Sequence, residues 1–277
     1  MKLSVITVSY NNRAALARTA GSLAAQTCRD FEWIVIDGGS SDGSRELLET
    51  LGKEAPDYWC SEPDGGIYQA MNKGIRRAHG DYLLFLNSGD TLRDDSVVAR
   101  ALPLLGDDDI IYGDAVFCKP YKERLVRYPD TFTLYHLWKA FTPCHQATFI
   151  RAALLRESGY DEHYRIVADY RKWIEWKMEG RSFRHLPLAV CNYMLDGVST
   201  TQRALHEQER EQVVGELYSP QLREQMEYIH WLQDGHGKGK AGRDGQTVVL
   251  TPLPVAAFRK LRLWLRRLLG QQEGKRQ

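Results

Sequence analysis

Short apolar segments alternate with helical patterns through the first half of the chain. Leu3 to Val8 is rich in β-branched residues and predicts a strand, after which Leu16, Ala20 and Leu23 fall on one helical face. This alternation predicts an α/β fold in which crossover helices join parallel strands. Further strands are predicted at 33–36, 58–61 and 82–86, and further helices at 44–51, 67–79 and 96–105.

The pattern changes in the second half, from about Thr131, to aromatic helices and short strands. A strand pair is predicted at 110–117 and 124–128, with later strands at 146–150 and 189–194 and a charged helix at 205–232. We therefore predict one α/β domain over 1–200, a helical extension over 201–233, a flexible linker over 234–250 and a basic amphipathic helix over 251–277.

Small and polar residues follow the predicted strands or stand beside helix starts. The carboxyl ends of parallel strands meet at one edge of a sheet, where open α/β folds bind ligands, and glycines there let the backbone approach a ligand closely. Such turns predict a nucleotide crevice. Neither G-x-G-x-x-G nor G-x-x-x-x-G-K-[ST] occurs, so neither a dinucleotide fingerprint nor a P-loop is present. The four turns are Thr7-Val-Ser-Tyr10, Asp37-Gly-Gly-Ser40, Asp64-Gly-Gly66 and Asn87-Ser-Gly-Asp90.

Charge and cysteine content narrow the class of protein. A net charge of +1 over 277 residues gives no global argument for binding nucleic acid. The five cysteines are scattered without C-x-x-C spacing, which argues against a disulfide framework or a zinc site and for a reducing compartment. The chain opens directly into a strand, and no window approaches the eighteen or so consecutive apolar residues of a membrane span. We therefore expect a cytoplasmic protein.

Four segments of the chain occur in the order V-I-T-V-S-Y-N (5–11), I-D-G-G-S-S-D-G-S (36–44), D-G-G-I-Y-Q-A-M-N-K-G-I (64–75) and G-D-Y-L-L-F-L-N-S-G-D (80–90). Together they resemble family-two glycosyltransferases with the GT-A fold, most closely the bacterial members that build exopolysaccharide, capsule or O-antigen. The resemblance covers roughly residues 1–200. It implies a mostly parallel central sheet flanked by helices, with a helical C-terminal extension. It also implies an inverting transfer of a sugar from a nucleotide diphosphate donor.

The resemblance assigns the donor side of the site. It implies that Thr7, Ser9 and Tyr10 contact the base or ribose, and that Asp37 hydrogen-bonds the nucleotide. Many members carry a second acid after that aspartate, where this chain has Gly38. Asp42 is expected to cap the following helix rather than to bind the donor.

The metal site of the family appears in altered form. Where many members read Asp-Ser-Asp-Asp, this chain reads Asn87-Ser88-Gly89-Asp90, so Asp90 matches the final acid and is the expected metal ligand. A Mg²⁺ or Mn²⁺ ion held by one carboxylate and by substrate phosphates is physically acceptable. Asn87 is expected to accept a hydrogen bond from the ribose or from a metal-bound water.

The catalytic base is expected from the second half of the chain. Residues 161–176 resemble the acceptor-side segment in which an aspartate opens a helix, and Asp169 matches the catalytic base. The alternative is that Asp169 only caps that helix. His145 is expected to touch the donor phosphate or the acceptor, with a structural role as the alternative. Ser199 matches the family's flexible Gly-x-Ser segment near the diphosphate, with a turn that ends the last strand as the alternative.

The tail carries an apolar stripe from Phe258 to Leu269 with five cationic side chains and no nearby acid. It fits an anionic membrane surface or, alternatively, packing on its own domain or a dimer partner.

We predict an inverting glycosyltransferase of surface polysaccharide synthesis. It is expected to act on a saccharide acceptor that is lipid-linked, and to be either cytoplasmic or peripheral at the inner face of the plasma membrane. The alternatives are a sugar nucleotidyltransferase and an inactive nucleotide-binding or membrane scaffold.

Overall fold

The computed structural model describes residues 2–195, 197 and 201–233. The predictions for Ser199, for the linker 234–250 and for the amphipathic helix 251–277 therefore lie outside the described residues. The chain divides into two compact units, of which the first ends at Val213 and the second begins at Val214.

Strands of the described chain form a single sheet in the order β3-β2-β1-β4-β8-β6-β9-β5, and β7 pairs with β6 outside this path. The first four in this order run parallel, as predicted. Beyond β4 the sheet is mixed, because β8 runs antiparallel to both β4 and β6, whereas β9 runs parallel to β6. The strands are β1 (Leu3–Ser9), β2 (Glu32–Asp37), β3 (Tyr58–Ser61), β4 (Tyr82–Phe85), β5 (Thr91–Leu92), β6 (Ile110–Lys119), β7 (Lys122–Val126), β8 (Thr148–Arg151) and β9 (Phe183–Met194).

Helices connect and cover the strands. Every residue of β1, β2 and β4 is buried, as expected for parallel strands with helices on both faces. By contrast, β7 is exposed along most of its length and carries Lys122, Glu123 and Arg124 at the sheet edge. The α-helices of the described residues are α1 (Arg13–Ala24), α2 (Ser44–Thr50), α3 (Ile67–Arg77), α4 (Val97–Ala101), α5 (Leu134–Trp138), α6 (Ala152–Ser158), α7 (Ala168–Met178), α8 (Arg203–Leu217) and α9 (Pro220–Trp231).

Proline explains two differences from the predicted helices. The helix predicted at 96–105 is α-helical only over α4 and continues as a 3₁₀ turn at Leu102–Leu104, which contains Pro103. The helix predicted at 205–232 is two helices. Ser219 caps α9 by accepting a hydrogen bond from the Leu222 amide at 3.2 Å, and Pro220 occupies the first turn.

A close approach between two backbone segments requires a glycine at position 80, just before β4. A Cβ atom on Gly80 would lie 2.6 Å from the Ser4 nitrogen and 2.7 Å from the Leu3 carbonyl carbon. The Gly80 amide donates to Ser4 Oγ at 2.8 Å. The entry into β4 therefore packs directly on the backbone of β1.

Gly80→Ala is expected to lower the free energy of unfolding by about 1–3 kcal/mol, because backbone atoms cannot move aside as a flexible side chain would. Gly21→Ala is the control, since a Cβ there meets no atom within 4 Å. In the middle of α1, alanine should stabilise by about 0.5–1 kcal/mol. Urea denaturation measures both changes. Equal stabilities for the two variants would contradict the close packing at Gly80.

Candidate active site

The carboxyl ends of β1, β2, β3 and β4 meet at one edge of the sheet because these strands are parallel. Ser9, Asp37 and Ser61 are the last residues of the first three strands, and Asn87 follows β4 closely. His145 lies in the 3₁₀ turn that precedes β8. Since β8 is antiparallel to β4, His145 reaches the same edge.

Asp37 is completely buried and organises the turn after β2. One carboxylate oxygen accepts from the Ser40 amide at 2.9 Å and from Ser61 Oγ at 2.6 Å, and the other accepts from Ser40 Oγ at 2.5 Å. Gly38 lies against this turn, where a Cβ would meet Asp64 Oδ2 at 2.8 Å. Asp37 therefore connects the ends of β2 and β3, and its contact with a nucleotide stays a prediction.

The three residues predicted to contact the donor from β1 differ in environment. Thr7 is buried, and its Oγ1 accepts from the Trp33 indole at 3.0 Å within the core. Ser9 is also buried, but its hydroxyl has no hydrogen-bond partner among the described residues. Tyr10 is 67% exposed. Of the three, Ser9 and Tyr10 have side-chain groups that a ligand can still engage.

Asp42 stabilises helix starts. Its carboxylate accepts from the Arg13 amide at 2.7 Å and from the Ser44 amide and hydroxyl at 3.1 and 2.6 Å. Arg13 and Ser44 are the first residues of α1 and α2, so one carboxylate binds the amino ends of both helices. Desolvation, the largest single effect, raises the pKa of Asp42, but these hydrogen bonds together outweigh it and leave the pKa below its ordinary value.

The Asn87–Asp90 turn is held by α1 and β9. Thr19 Oγ1 donates to the Asp90 carbonyl at 2.8 Å and accepts from the Gly89 amide at 2.9 Å, where Gly89 has a φ of +107°. Asp90 is 5% exposed, and its Oδ1 accepts from the Met194 amide at 2.8 Å. The Asn87 side-chain oxygen Oδ1 is buried without a partner among the described residues.

Few protein side chains at this turn could serve as metal ligands. Within the part of the chain that the structure describes, no three His, Cys, Asp or Glu side chains group around a possible ion position. Asp90 and the unpaired oxygen of Asn87 are hard oxygen donors. They fit an ion such as Mg²⁺ or Mn²⁺ that takes its other ligands from water and from the phosphates of a substrate.

Asp169 lies in the first turn of α7, half-buried, and is contacted by α3. The Tyr68 hydroxyl donates to Asp169 Oδ1 at 2.8 Å and to the Ile166 carbonyl at 2.7 Å. Burial and then the nearby Asp169 charge raise the pKa of Tyr68 far above its ordinary value, so the phenol keeps its proton. The side chain of Asp169 is therefore oriented by a permanent donor from another helix.

His145 is packed among aromatic rings rather than exposed to solvent. Its Nε2 lies 2.9 Å from the Tyr160 hydroxyl, and its ring stacks on Phe85 at 4.8 Å between centroids. Burial lowers the pKa of His145, and the negative charge of Asp169 only partly opposes this effect. The imidazole is neutral at neutral pH.

This aromatic cluster connects the regions that carry Asp90, the predicted metal ligand, and Asp169, the predicted base. The Tyr160 ring lies 5.4 Å from Tyr68 and 5.6 Å from Phe85. Phe85 is the last residue of β4, the strand that leads to Asp90, and Tyr68 contacts Asp169. The start of α7 and the end of β4 therefore approach the same edge of the sheet.

Tyr68, Asn72 and Tyr160 are site residues that sequence reasoning did not single out. Asn72 binds the segment before α7 in both directions, because its Nδ2 donates to the Tyr160 carbonyl at 2.9 Å and its Oδ1 accepts from the Tyr160 amide at 2.8 Å. Tyr68 and Asn72 are four residues apart, so both lie on one face of α3. Their spacing in the sequence indicates a shared helix face, but it does not reveal which segment that face contacts.

Comparison with known proteins identifies the family. The family model "Glycosyl transferase family 2" matches residues 4–165. The chain belongs to this family. A PGL/p-HBAD biosynthesis glycosyltransferase of Mycobacterium bovis is 32% identical over 197 residues, covering 69% of this chain and 73% of the relative. An uncharacterized glycosyltransferase of Mycobacterium tuberculosis is 41% identical over 176 residues, covering 60% of this chain and 65% of the relative.

Solved structures share the fold at low sequence identity. S. aureus TarS 1–349 in complex with UDP-GlcNAc superposes with a TM-score of 0.64 and 18% identity, covering 86% of this chain and 75% of that chain. The mannosyltransferase PcManGT from Pyrobaculum calidifontis, in complex with GDP-Man and Mn²⁺, gives 0.60 and 19%, covering 96% and 80%. The predicted GT-A fold is confirmed. Among the described helices of this glycosyltransferase, none combines the length and apolar character needed to cross a membrane.

The buried His145 makes a testable contribution to the pH dependence of stability. Below its ordinary pKa of 6.5, the unfolded chain takes up a proton that the folded state resists, so the free energy of unfolding should fall with acidification. His145→Gln removes this proton uptake. Between about pH 7.5 and about pH 5.5, the wild type should lose more stability than the variant in urea denaturation. Parallel pH profiles would show that His145 is not held neutral.

Proposed function

We propose that this glycosyltransferase moves a sugar, with inversion, from a nucleotide diphosphate donor to a hydroxyl group of a saccharide acceptor. The observation that supports this most strongly is a pair of buried oxygens, Ser9 Oγ and Asn87 Oδ1, at the ends of β1 and β4, which have no hydrogen-bond partner among the residues that the structure describes. A buried polar atom without a partner costs about 1–3 kcal/mol. A ligand that donates hydrogen bonds at this edge would remove that cost.

In this proposal the donor binds at the ends of β1 to β4. Its base or ribose contacts Thr7, Ser9 and Tyr10. The nucleotide also accepts or donates hydrogen bonds at Asp37 and Asn87. Two proteins with this fold were solved with sugar nucleotides, UDP-GlcNAc in one case and GDP-Man in the other, which supports the donor class. Asp90 and Asn87 would hold a divalent cation, whose positive charge supplies stabilisation to the departing diphosphate when it is bound.

Asp169 is the base in this proposal. Its carboxylate takes the proton of the acceptor hydroxyl as that oxygen forms a bond to the anomeric carbon. The bond from that carbon to the diphosphate oxygen breaks on the opposite face, and its electron pair leaves with the nucleotide. A single displacement of this kind inverts the configuration. Tyr68 orients the carboxylate and touches no reacting atom itself.

His145 contacts the donor phosphate or the acceptor in this proposal, and Ser199 lies near the diphosphate. The neutral imidazole of His145 offers a hydrogen bond rather than a charge. We further propose that the acceptor belongs to surface polysaccharide synthesis and is lipid-linked, and that the protein works in the cytoplasm or at the inner face of the plasma membrane. The resemblance to bacterial exopolysaccharide, capsule and O-antigen enzymes supports this setting.

A second candidate function is nucleotide binding without transfer. The observation that favours it is the loss of acids in the Asn87–Asp90 turn, which leaves Asp90 as its single carboxylate. Such a protein would bind sugar nucleotides but would not consume them. Product analysis with a sugar nucleotide and an acceptor separates the two functions.

Asp169→Asn is expected to reduce kcat at least about a hundredfold, because positioned base catalysis contributes about 10²–10⁴ in rate. Asparagine keeps the size of the side chain and can still accept from Tyr68, so donor binding should survive. Glu179→Gln, an exposed change at the other end of α7, is the matched control and should retain activity. Transfer at the wild-type rate by Asp169→Asn would remove this residue as the base.

Asp90→Asn tests the metal site while leaving an oxygen to accept from the Met194 amide. Thermal shift with UDP-, GDP- and dTDP-sugars, with and without Mn²⁺, first identifies a donor that stabilises the wild type. For that donor, the variant should lose most of the Mn²⁺-dependent shift, since one carboxylate carries the metal contact. Asp95→Ala, an exposed acid nearby, should behave as wild type. An undiminished Mn²⁺ effect in Asp90→Asn would reject the assignment.

A further inference from the structure

A cleft of about 500 Å³ lies beside the Asn87–Asp90 turn, on the side of β6, β7 and β9. Gly89 and Met194 belong to its wall, and the Met194 amide donates to Asp90. Its volume is in the range of small-molecule sites, about 300–1,000 Å³. The residues assigned above to the donor and to the base do not line it.

Three cationic side chains line this cleft. Arg18 of α1, Lys119 at the end of β6 and Lys122 at the start of β7 make no ion pair or side-chain hydrogen bond among the described residues. The acid in the lining, Glu123, pairs with Arg93 at 3.1 Å. Its charge is thus already compensated. The cleft therefore has a net positive charge.

Two of these cations are forced together by the β6–β7 hairpin. Lys119 and Lys122 are directly opposite in the antiparallel ladder. Like charges in such a position destabilise a sheet. Their cross-strand arrangement has no acid to compensate it, because the next pair along the ladder is Cys118 with Glu123, and Glu123 binds Arg93. A bound anion would relieve this repulsion.

Arg18 completes the arrangement from the other wall. It projects from α1 close to Gly89, since a Cβ on Gly89 would lie 3.8 Å from an Arg18 guanidinium nitrogen. A planar guanidinium and two ammonium groups lining one cleft are a donor set that suits phosphate oxygens. Asp90 is 5% exposed, and its Oδ1 accepts from the Met194 amide at 2.8 Å.

We propose that Arg18, Lys119 and Lys122 form a second anion site, which binds the phosphate or diphosphate group of a ligand other than the sugar nucleotide. The phosphate belongs either to a soluble ligand or to a lipid headgroup, and both sources offer the same oxygens to the same cations. The site does not depend on the proposed transfer reaction, because it is defined by charge and position alone.

The test uses the full chain with Asp90→Asn, in buffer without divalent cations, so that the proposed metal site does not contribute. Inorganic pyrophosphate is titrated by calorimetry at low salt, where electrostatic binding is strongest. Adding Lys119→Ala and Lys122→Ala should weaken pyrophosphate binding at least about tenfold, since two charge-assisted contacts are lost. The matched control adds Lys53→Ala and Arg76→Ala, two exposed cations on other elements, and should leave binding unchanged.

Vesicles distinguish the source of the phosphate. The same three proteins are sedimented with phosphatidylcholine vesicles with and without phosphatidylglycerol, and all of them retain the basic tail. Loss of phosphatidylglycerol binding in the cleft variant but not in the control identifies a lipid headgroup. Unchanged vesicle binding together with weakened pyrophosphate binding identifies a soluble phosphate ligand. Equal pyrophosphate and vesicle binding by all proteins, or equal weakening in the cleft and control variants, would overturn the proposal.

Discussion

Burial of β1, β2 and β4 along their whole length restricts polar chemistry to the ends of these strands. Inside such a sheet backbone groups pair within the ladder, and a buried polar side chain without a hydrogen bond is costly. Thr7 avoids this cost, because its hydroxyl accepts from the Trp33 indole. Two residues further along, Ser9 is still buried, but its hydroxyl has no partner in the described part of the chain. The candidate site therefore begins at the strand ends, where buried polar atoms are not hydrogen-bonded within the described part of the sheet.

Much of the first half of this fold could be predicted from the sequence, because strand and helix periods alternate clearly there. The parallel orientation of β1 to β4 follows from that alternation. The proline positions, Pro103 and Pro220, were also visible in the sequence, and they explain the two helices that end earlier than predicted. The orientation of β8 and the short strand β5 were not predictable, since both depend on pairing with strands far away in the sequence.

The candidate site was predictable residue by residue only through the family resemblance. The signal in Asp169 itself, an acid in the first turn of a helix, is equally typical of helix capping. The structure adds a contact that the sequence does not show, the hydrogen bond from the Tyr68 hydroxyl, which comes from a position 101 residues earlier. No local pattern connects these two positions. Long-range contacts of this kind depend on packing, and sequence periodicity contains no information about them.

Burial also bears on why the Asn87–Asp90 turn begins with asparagine. An aspartate in place of Asn87 would put a second carboxylate at a position where Oδ1 is buried, and an uncompensated charge there is costly. The amide of asparagine offers a similar oxygen without that charge. The turn therefore presents oxygen donors with one buried charge fewer than a pair of aspartates would carry.

The shared hydrogen bond of Tyr68 has a consequence for turnover between successive substrates. One phenolic proton serves two acceptors, the Ile166 carbonyl at 2.7 Å and Asp169 Oδ1 at 2.8 Å. In the proposed reaction, once the carboxyl group has taken the proton of the acceptor, the phenol can direct its own proton entirely to the carbonyl by rotating one O–H bond. The carboxyl group then releases the acquired proton to solvent and the phenol rotates back, so the cycle can close without any shift of α3 against α7.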